Sequence, residues 1–201
     1  AVKGNLGKPI IGTEESVKSF ERSDILKYYD ERYTKDNIVV VVSGNFKKES
    51  VKKIIDKYFG NLREEKVDRY KEIDFAFKGG ESGHTKDIKQ VNICISYPGT
   101  SYLSENKLYY EIVSNIMGGS MSSRLFQKIR EEMGLAYSVH TFNQSYKEGG
   151  VVTTYIGTNE KSYKKAINIT KDEFLTLRKT GITKLELEKA QNKFLSKIAF
   201  S

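Results

Sequence analysis

The chain has 201 residues, 38% of them hydrophobic and 30% charged, with a formal net charge of +8. This length allows one large domain or two modest ones, and the composition argues against wholesale disorder. The single cysteine, Cys94, excludes an internal disulfide and a multi-cysteine metal site. No apolar run approaches the roughly 20 residues that span a bilayer. We therefore expect a cytoplasmic protein without a membrane partner.

The positive charge is spread along the chain. Residues 1–80 carry 17 basic and 14 acidic side chains, and residues 81–201 carry 17 and 12. Nucleic-acid-binding proteins gather basic residues on one face or stripe, whereas lysine and glutamate alternate here, as in residues 47–49 and 186–189. We therefore expect no nucleic-acid partner.

The first part of the chain predicts a helix-strand-helix unit. Apolar residues recur at helical spacing from Ser16 to Tyr33, which predicts one broken helix or two, with Ser23 as a candidate cap. The β-branched run Ile38–Val42 predicts a central strand covered on both faces. Helical periodicity returns from Val51 to Phe59 and ends at Gly60.

Residues 63–88 predict a linker, because they mix charged residues with glycines. Their only alternating piece is short and includes Ile73, Phe75 and Phe77. We place the domain boundary within this stretch. The sequence thus predicts one domain over residues 1–72 and a second over residues 73–201.

The second part predicts strands mixed with helices. Alternation from Val91 to Tyr97 indicates a strand. Helices are predicted over residues 104–117, 122–133 and 159–178, and a hairpin bends at Lys147–Gly150. Thr183 with Glu186 forms a capping box for a last helix.

The sequence shows no spacing of histidine or cysteine residues that is typical of a metal site or a catalytic nucleophile. His84 and His140 share no short spacing that suits zinc, and Cys94 has no identifiable base. Gly118 and Gly119 precede a helix whose N-terminus can hold an anion, but the phosphate-binding lysine is missing, and a bend between packed helices explains these glycines better. The sequence therefore predicts no self-sufficient active site.

Arg130 and Tyr137 form a more promising pair. If Gly134 takes the left-handed conformation after the helix, Arg130 lies about one turn before the helix end and Tyr137 lies on the strand that follows. The chain reversal can then aim both side chains into one space. A guanidinium and a neutral phenol suit a peptide carbonyl, or the oxyanion that it becomes. The alternative is that Arg130 favours the helix dipole and Tyr137 packs in the sheet.

Several segments carry a family resemblance. The segment "SSRLFQKIREEMGLAYSV", preceded by "GGSM", resembles the C-terminal half of the insulinase-like (pitrilysin, M16) zinc metallopeptidases, especially bacterial relatives of the mitochondrial processing peptidase. Three earlier segments resemble the end of that family's N-terminal half: "LGKPIIGTEESVKSF", "YYDERYTKDNIVVVVSGNF" and "IIDKYFGNL". The resemblance implies a LuxS/MPP-like metallohydrolase fold of the α+β class. Each of its two homologous halves has a mixed or antiparallel sheet with helices packed on one face.

The resemblance also implies a division of labour. In this family a His-x-x-Glu-His motif on the first half holds zinc, and an arginine and a tyrosine from the second half hold the substrate. Their positions correspond to Arg130 and Tyr137, the expected catalytic and substrate-binding residues. The chain starts without methionine and stops within a helical pattern, so we expect a fragment without zinc of its own.

The expected function is that of part of a zinc-dependent endopeptidase. Its expected partners are a peptide substrate and, in the intact protein, a second subunit in a homodimer or heterodimer. The alternative is a non-catalytic M16-like subunit that binds peptides or acts as a scaffold. In the family that this chain resembles, the non-catalytic processing-peptidase subunit has an extended glycine-rich loop near this position, so the short connection at Gly118 and Gly119 favours a catalytic parent.

Overall fold

The computed structural model describes residues 2–67 and 75–200. Contacts divide them into two compact units, one with residues 8–67 and the other with residues 2–7 and 75–200. The predicted domain boundary between residues 72 and 73 lies outside the described residues, as does Ile73. The assignment of two homologous domains therefore stays a prediction.

In its described part, the smaller unit contains three α-helices: α1 (Glu14–Lys18), α2 (Arg22–Arg32) and α3 (Lys48–Phe59). Of the two predicted alternatives, one broken helix or two helices, the structure has two helices. The prediction that Ser23 caps the second one is wrong, because α2 begins one residue after Glu21, whose backbone N–H donates to the Asp24 carboxylate at 3.0 Å. Helix α3 ends at Gly60, as predicted.

The run Ile38–Val42 differs from its prediction as a covered central strand. It pairs with no strand among the described residues, and Val39 and Val41 are 83% and 84% exposed. The apolar pattern is that of a buried strand, but the described part of the chain supplies no neighbour that buries it.

The larger unit is built on antiparallel strands. A short pair joins β1 (Val2–Lys3) to β2 (Ala76–Phe77). The main sheet contains β3 (Val91–Pro98), β4 (Ala136–Ser145) and β5 (Gly150–Thr158) in the order β3-β5-β4. The predicted strand from Val91 and the predicted hairpin are both confirmed, and β5 lies at the centre because it pairs with both neighbours.

Helices cover one face of this sheet. They are α4 (Lys107–Gly118), a π-helix (Phe126–Glu132), α5 (Tyr163–Thr180) and α6 (Lys184–Ala199). Val139 and Ile156 face each other across β4 and β5, and both belong to a core that also includes Met117, Leu125 and Ile129. The α+β fold with helices on one sheet face is therefore confirmed. No helix in the described ranges has the length and apolar character needed to cross a membrane.

Gly118 lets α4 approach β4 closely. A Cβ at this position would lie 2.3 Å from Oγ1 of Thr141 and 2.5 Å from its backbone nitrogen. The glycine at Gly118 is therefore required by contact between a helix and a strand, and not by a bend between two helices. This contact fixes the end of α4 against the middle of strand β4.

Candidate functional site

The helix that carries Arg130 is irregular. It was predicted as an ordinary α-helix, but Phe126–Glu132 form a π-helix, a form that is often found at functional sites. At its end the Leu135 N–H donates to the Ile129 carbonyl at 2.8 Å, and the Gly134 N–H donates to the Arg130 carbonyl at 3.2 Å. Gly134 has φ +59°, so the predicted left-handed turn is confirmed.

Arg130 rests on an aromatic ring. Its guanidinium carbon lies 4.9 Å from the centroid of Phe126, which is only 7% exposed and therefore a fixed platform. Its Nε lies 3.8 Å from a carboxylate oxygen of Glu131, too far for a hydrogen bond. The Arg130 side chain is 45% exposed. Its N–H donors are thus held in place and remain open to a ligand.

Tyr137 sits on a β-bulge at the start of β4. Ala136 pairs with Thr158 and Ser138 pairs with Gly157, so Tyr137 is the extra residue between two successive pairs. Bulges re-aim side chains and are frequent beside active sites. Tyr137 is 66% exposed, and its hydroxyl makes no hydrogen bond to any described residue. Its phenol is therefore also open to a ligand.

The two predicted site residues flank one connection. Arg130 precedes Gly134 and Tyr137 follows it, and among the described residues the two side chains make no hydrogen bond to each other. Together they offer a permanent positive charge and a neutral O–H donor. A guanidinium and a phenol hydroxyl are each groups that can donate to a carbonyl oxygen and stabilise negative charge on it. The alternative for Arg130, an interaction with the helix dipole, remains compatible with its position.

An ion pair anchors the start of this helical segment. Arg124 donates from Nε to one oxygen of Glu186 at 2.5 Å and from Nη2 to the other at 2.8 Å. It also donates from Nη2 to the Gly181 carbonyl at 3.0 Å. The two side chains are 16% and 24% exposed. The bidentate pair ties the segment before Arg130 to the start of α6.

The same pair sets the charge state of Glu186. Its hydrogen bond with Arg124 lowers the pKa of the carboxyl from 4.5 to about 2, against the opposing effect of partial burial, with further help from the backbone N–H and hydroxyl of Thr183. The pKa of Arg124 is raised by the same hydrogen bond. The pair is thus fully ionised at neutral pH.

Sequence reasoning found only half of this anchor. It identified the capping box, which is confirmed: Thr183 N–H donates to the Glu186 carboxylate at 2.7 Å, and Glu186 N–H donates to the Thr183 hydroxyl at 3.2 Å. It missed Arg124, which is 62 positions away. No local pattern connects residues at that separation.

A polar cluster lies on the open face of the sheet close to Tyr137. The Tyr155 hydroxyl donates to Oδ1 of Asn92 at 2.7 Å, and Gln90 donates to the same oxygen at 3.3 Å. A Cβ at Gly157 would lie 2.5 Å from the Gln90 amide nitrogen and 2.7 Å from the Ser138 hydroxyl. These polar atoms therefore converge above Gly157. One of them belongs to Ser138, the residue that follows Tyr137 in β4. Sequence reasoning did not identify this cluster.

The other candidate residues do not form a metal centre. Cys94 and His140 both pair with Tyr155, from opposite neighbouring strands, and both are exposed. Within the described ranges no group of three or more His, Cys, Asp and Glu side chains has the geometry to hold a metal ion. The described residues thus do not fit the zinc that the resemblance implies.

The fold and the relatives define a class of protein. A solved structure of a protease from Helicobacter pylori aligns with a TM-score of 0.81 at 19% identity, over 94% of this chain and 47% of that chain. The "uncharacterized zinc protease YmxG" of Bacillus subtilis is 33% identical over the full chain, and a zinc protease of Rickettsia bellii is 36% identical over 76% of it. The class is that of zinc-protease-like α+β proteins.

The family follows from a profile match. The profile described as "Peptidase M16 inactive domain" matches residues 19–194. The chain therefore belongs to the M16 peptidase family, as the resemblance implied. It spans 49% of the length of the Bacillus relative and 37% of that of the Rickettsia relative.

Proposed function

We propose that the chain is part of a zinc-dependent endopeptidase of the processing-peptidase-like branch, in which Arg130 and Tyr137 bind the substrate at the scissile peptide bond. The observation that carries the proposal is an exposed guanidinium and an exposed phenol on either side of Gly134, in a chain of the M16 family. Because the chain spans about half of the Bacillus relative, the zinc ligands belong to residues outside the described ones.

Each residue has a distinct role in this proposal. Arg130 donates N–H groups to the substrate carbonyl oxygen, and the Phe126 ring holds the guanidinium in place. Tyr137 donates its O–H to the same oxygen, which becomes more negative as the carbonyl is attacked. One such donor that acts mainly in the transition state is worth about 3–4 kcal/mol. The substrate lies extended past the helix end.

The test is Tyr137→Phe in the whole protein. Loss of the hydroxyl should lower kcat/KM for a peptide substrate by about 100-fold or more, while zinc content measured by elemental analysis stays constant. Tyr109→Phe is a matched control, because Tyr109 is also 66% exposed but lies on α4. Wild-type turnover in Tyr137→Phe would refute the assigned role.

Arg130 is tested by two replacements. Arg130→Lys keeps the charge but not the planar fork, and Arg130→Ala removes both. A binding role predicts that Arg130→Lys retains more activity than Arg130→Ala while both remain folded. Equal activity of the wild type, Arg130→Lys and Arg130→Ala would argue that Arg130 interacts only with the helix dipole.

A second candidate is a non-catalytic M16-like subunit that binds peptides or acts as a scaffold. The description of the matching profile as an inactive domain fits both candidates, because neither places the zinc site in this domain. The short connection at Gly118 and Gly119 favours a catalytic parent. Two observations separate the candidates. A scaffold binds labelled peptide in fluorescence anisotropy without hydrolysing it, and its gene lacks the His-x-x-Glu-His motif.

The proposed partners and location follow the same reasoning. The partner is a peptide, with no nucleic acid and no membrane, and the intact protein is a homodimer or heterodimer in the cytoplasm. Titration with duplex DNA at low and high salt tests for nucleic-acid binding, because such binding weakens steeply as salt rises. Light scattering gives the oligomeric state, and cell fractionation gives the location.

A further inference from the structure

The open face of the main sheet is polar but carries no acidic or strongly basic side chain. Val139 and Ile156 belong to the core beneath the helices, so the residues that alternate with them point to the other face. Three rows cross that face from β3 through β5 to β4: Asn92, Gly157 and Ser138; Cys94, Tyr155 and His140; Ser96, Thr153 and Phe142. None of them is Asp, Glu, Lys or Arg, although 30% of the chain is charged. Solvated surfaces usually include such charges, so this face suits a neutral polar ligand.

Hydrogen bonds orient two amides in the first of these rows. The Oδ1 atom of Asn92 accepts from the Tyr155 hydroxyl at 2.7 Å and from the Gln90 amide at 3.3 Å. The Gln90 amide also donates to the Tyr155 oxygen at 3.5 Å. These bonds use the oxygen of Asn92 and the nitrogen of Gln90. The other atom of each amide makes no hydrogen bond to a described residue, and both side chains are exposed. The pair therefore presents the N–H groups of Asn92 and the carbonyl of Gln90 to solvent.

A hydroxyl lies beside the two amides. A Cβ at Gly157 would lie 2.7 Å from the Ser138 hydroxyl and 2.5 Å from the Gln90 amide nitrogen, so the two groups approach each other over a position without a side chain. The Ser138 hydroxyl makes no hydrogen bond within the described part of the chain. It can donate or accept. Ser138 directly follows Tyr137, which places this group next to the proposed substrate-binding residue.

We propose that Gln90, Asn92 and Ser138 form a subsite for a carboxamide side chain, that of Asn or Gln, in the peptide substrate near the scissile bond. A carboxamide has one carbonyl acceptor and one N–H₂ donor. The subsite offers the complement, because Asn92 donates to the carbonyl, Gln90 accepts from the N–H₂ group and Ser138 can bond to either. This inference rests on the proposed peptidase function and names the substrate class of that site.

Other side chains match the subsite less well. An apolar side chain would take the free polar groups out of water without replacing their hydrogen bonds, which is unfavourable. A carboxylate would face the carbonyl oxygen of Gln90, and an ammonium group would face the N–H groups of Asn92. Neither would meet an opposite charge on this face of the sheet.

Peptide kinetics of the whole protein test the proposal. Gln is placed in turn at each position near the scissile bond and is compared with Met and Glu, which have similar length and shape. At one position Gln should raise kcat/KM about tenfold over both, as expected for one or two net hydrogen bonds. Lack of any such preference in the wild type would overturn the proposal.

Three variants assign the preference to these side chains. Asn92→Asp removes the N–H groups and Ser138→Ala removes the hydroxyl, so each should reduce the Gln-to-Met ratio to about threefold or less. Ser96→Ala is the matched control, because its hydroxyl lies on the same face but is already within 3.0 Å of the Thr153 hydroxyl; it should keep the wild-type ratio. A loss of folded protein cancels in this ratio. A preference that survives both Asn92→Asp and Ser138→Ala would overturn the proposal.

A binding measurement separates this inference from the proposed function. Fluorescence anisotropy with labelled Gln and Met peptides, after zinc removal with a chelator, requires no hydrolysis. The Gln peptide should bind about tenfold more tightly, and Ser138→Ala should reduce the difference. A protein that hydrolyses neither peptide but shows this difference would refute the peptidase function and support the subsite. Equal Kd values for the two peptides would overturn the subsite whatever the turnover.

Discussion

Replacing Glu186 by glutamine tests the anchor behind Arg130 most directly. The substitution keeps the shape of the side chain and removes the charge that pairs with Arg124. The difference between a pKa of 4.5 and about 2 corresponds to about 3.4 kcal/mol at about 1.36 kcal/mol per pH unit. Both side chains are partly exposed, at 16% and 24%, so solvent screening reduces this value. We expect Glu186→Gln to lower the free energy of unfolding at pH 7 by about 2 kcal/mol.

The effect should depend on pH with a defined sign. The carboxyl has a lower pKa in the folded state than in the unfolded state, so its contribution is fully present above about pH 4.5 and is lost as pH falls towards 2. The gap between wild type and Glu186→Gln should therefore close over that range. Urea unfolding followed by circular dichroism at pH 7, 4 and 2.5 measures the gap.

A surface pair provides the matched control. Lys128 and Glu132 lie 3.4 Å apart at a spacing of four residues and are 43% and 58% exposed, so Glu132→Gln should cost less than about 0.5 kcal/mol. A double-mutant cycle with Arg124→Gln isolates the coupling between Arg124 and Glu186. Coupling below about 0.5 kcal/mol would refute the anchor. A loss for Glu186→Gln that stays constant with pH would show that the charge of the carboxylate is not its cause, because Arg124 and Thr183 both lower the pKa of this carboxyl.

The remaining predictions concern packing around the site. Gly118→Ala should destabilise the protein by about 1–3 kcal/mol in urea unfolding, because the new methyl group overlaps Thr141 including its backbone; an unchanged midpoint would contradict the close contact. Ile129→Ala removes a fully buried side chain of the π-helix and should cost about 2–5 kcal/mol in the same assay, and a loss below about 1 kcal/mol would mean that the core is looser than described. Gly134→Ala should lower the free energy of unfolding by about 1–2 kcal/mol, because φ +59° is unfavourable for alanine. The space that the new methyl group would occupy is open, so an unchanged melting temperature would show that the backbone of the turn adapts.

Much of the candidate site follows from local sequence. The glycine at Gly134 predicts a left-handed helix end, and the structure has one. Arginine one turn before it and tyrosine just after it then lie on either side of the same connection. The direction of each side chain could not be predicted from the local sequence, because it depends on a π-helix at Arg130 and a β-bulge at Tyr137.

By itself the sequence determined the elements whose causes are local. The alternation of apolar and polar residues predicted β3, and the glycine-rich bend predicted the hairpin of β4 and β5. The capping box of Thr183 and Glu186 predicted the start of α6. Each depends on residues within a few positions of one another, so periodicity and capping chemistry suffice.

Only the tertiary structure decided which distant residues meet. The pairing of Arg124 with Glu186 spans 62 positions, and the contact of Gly118 with Thr141 joins a helix to a strand. The run Ile38–Val42 is a further example. Its pattern predicts a buried strand, but the described residues do not bury it. Side-chain chemistry fixes what a segment needs, whereas the packing of the whole chain fixes which partner provides it.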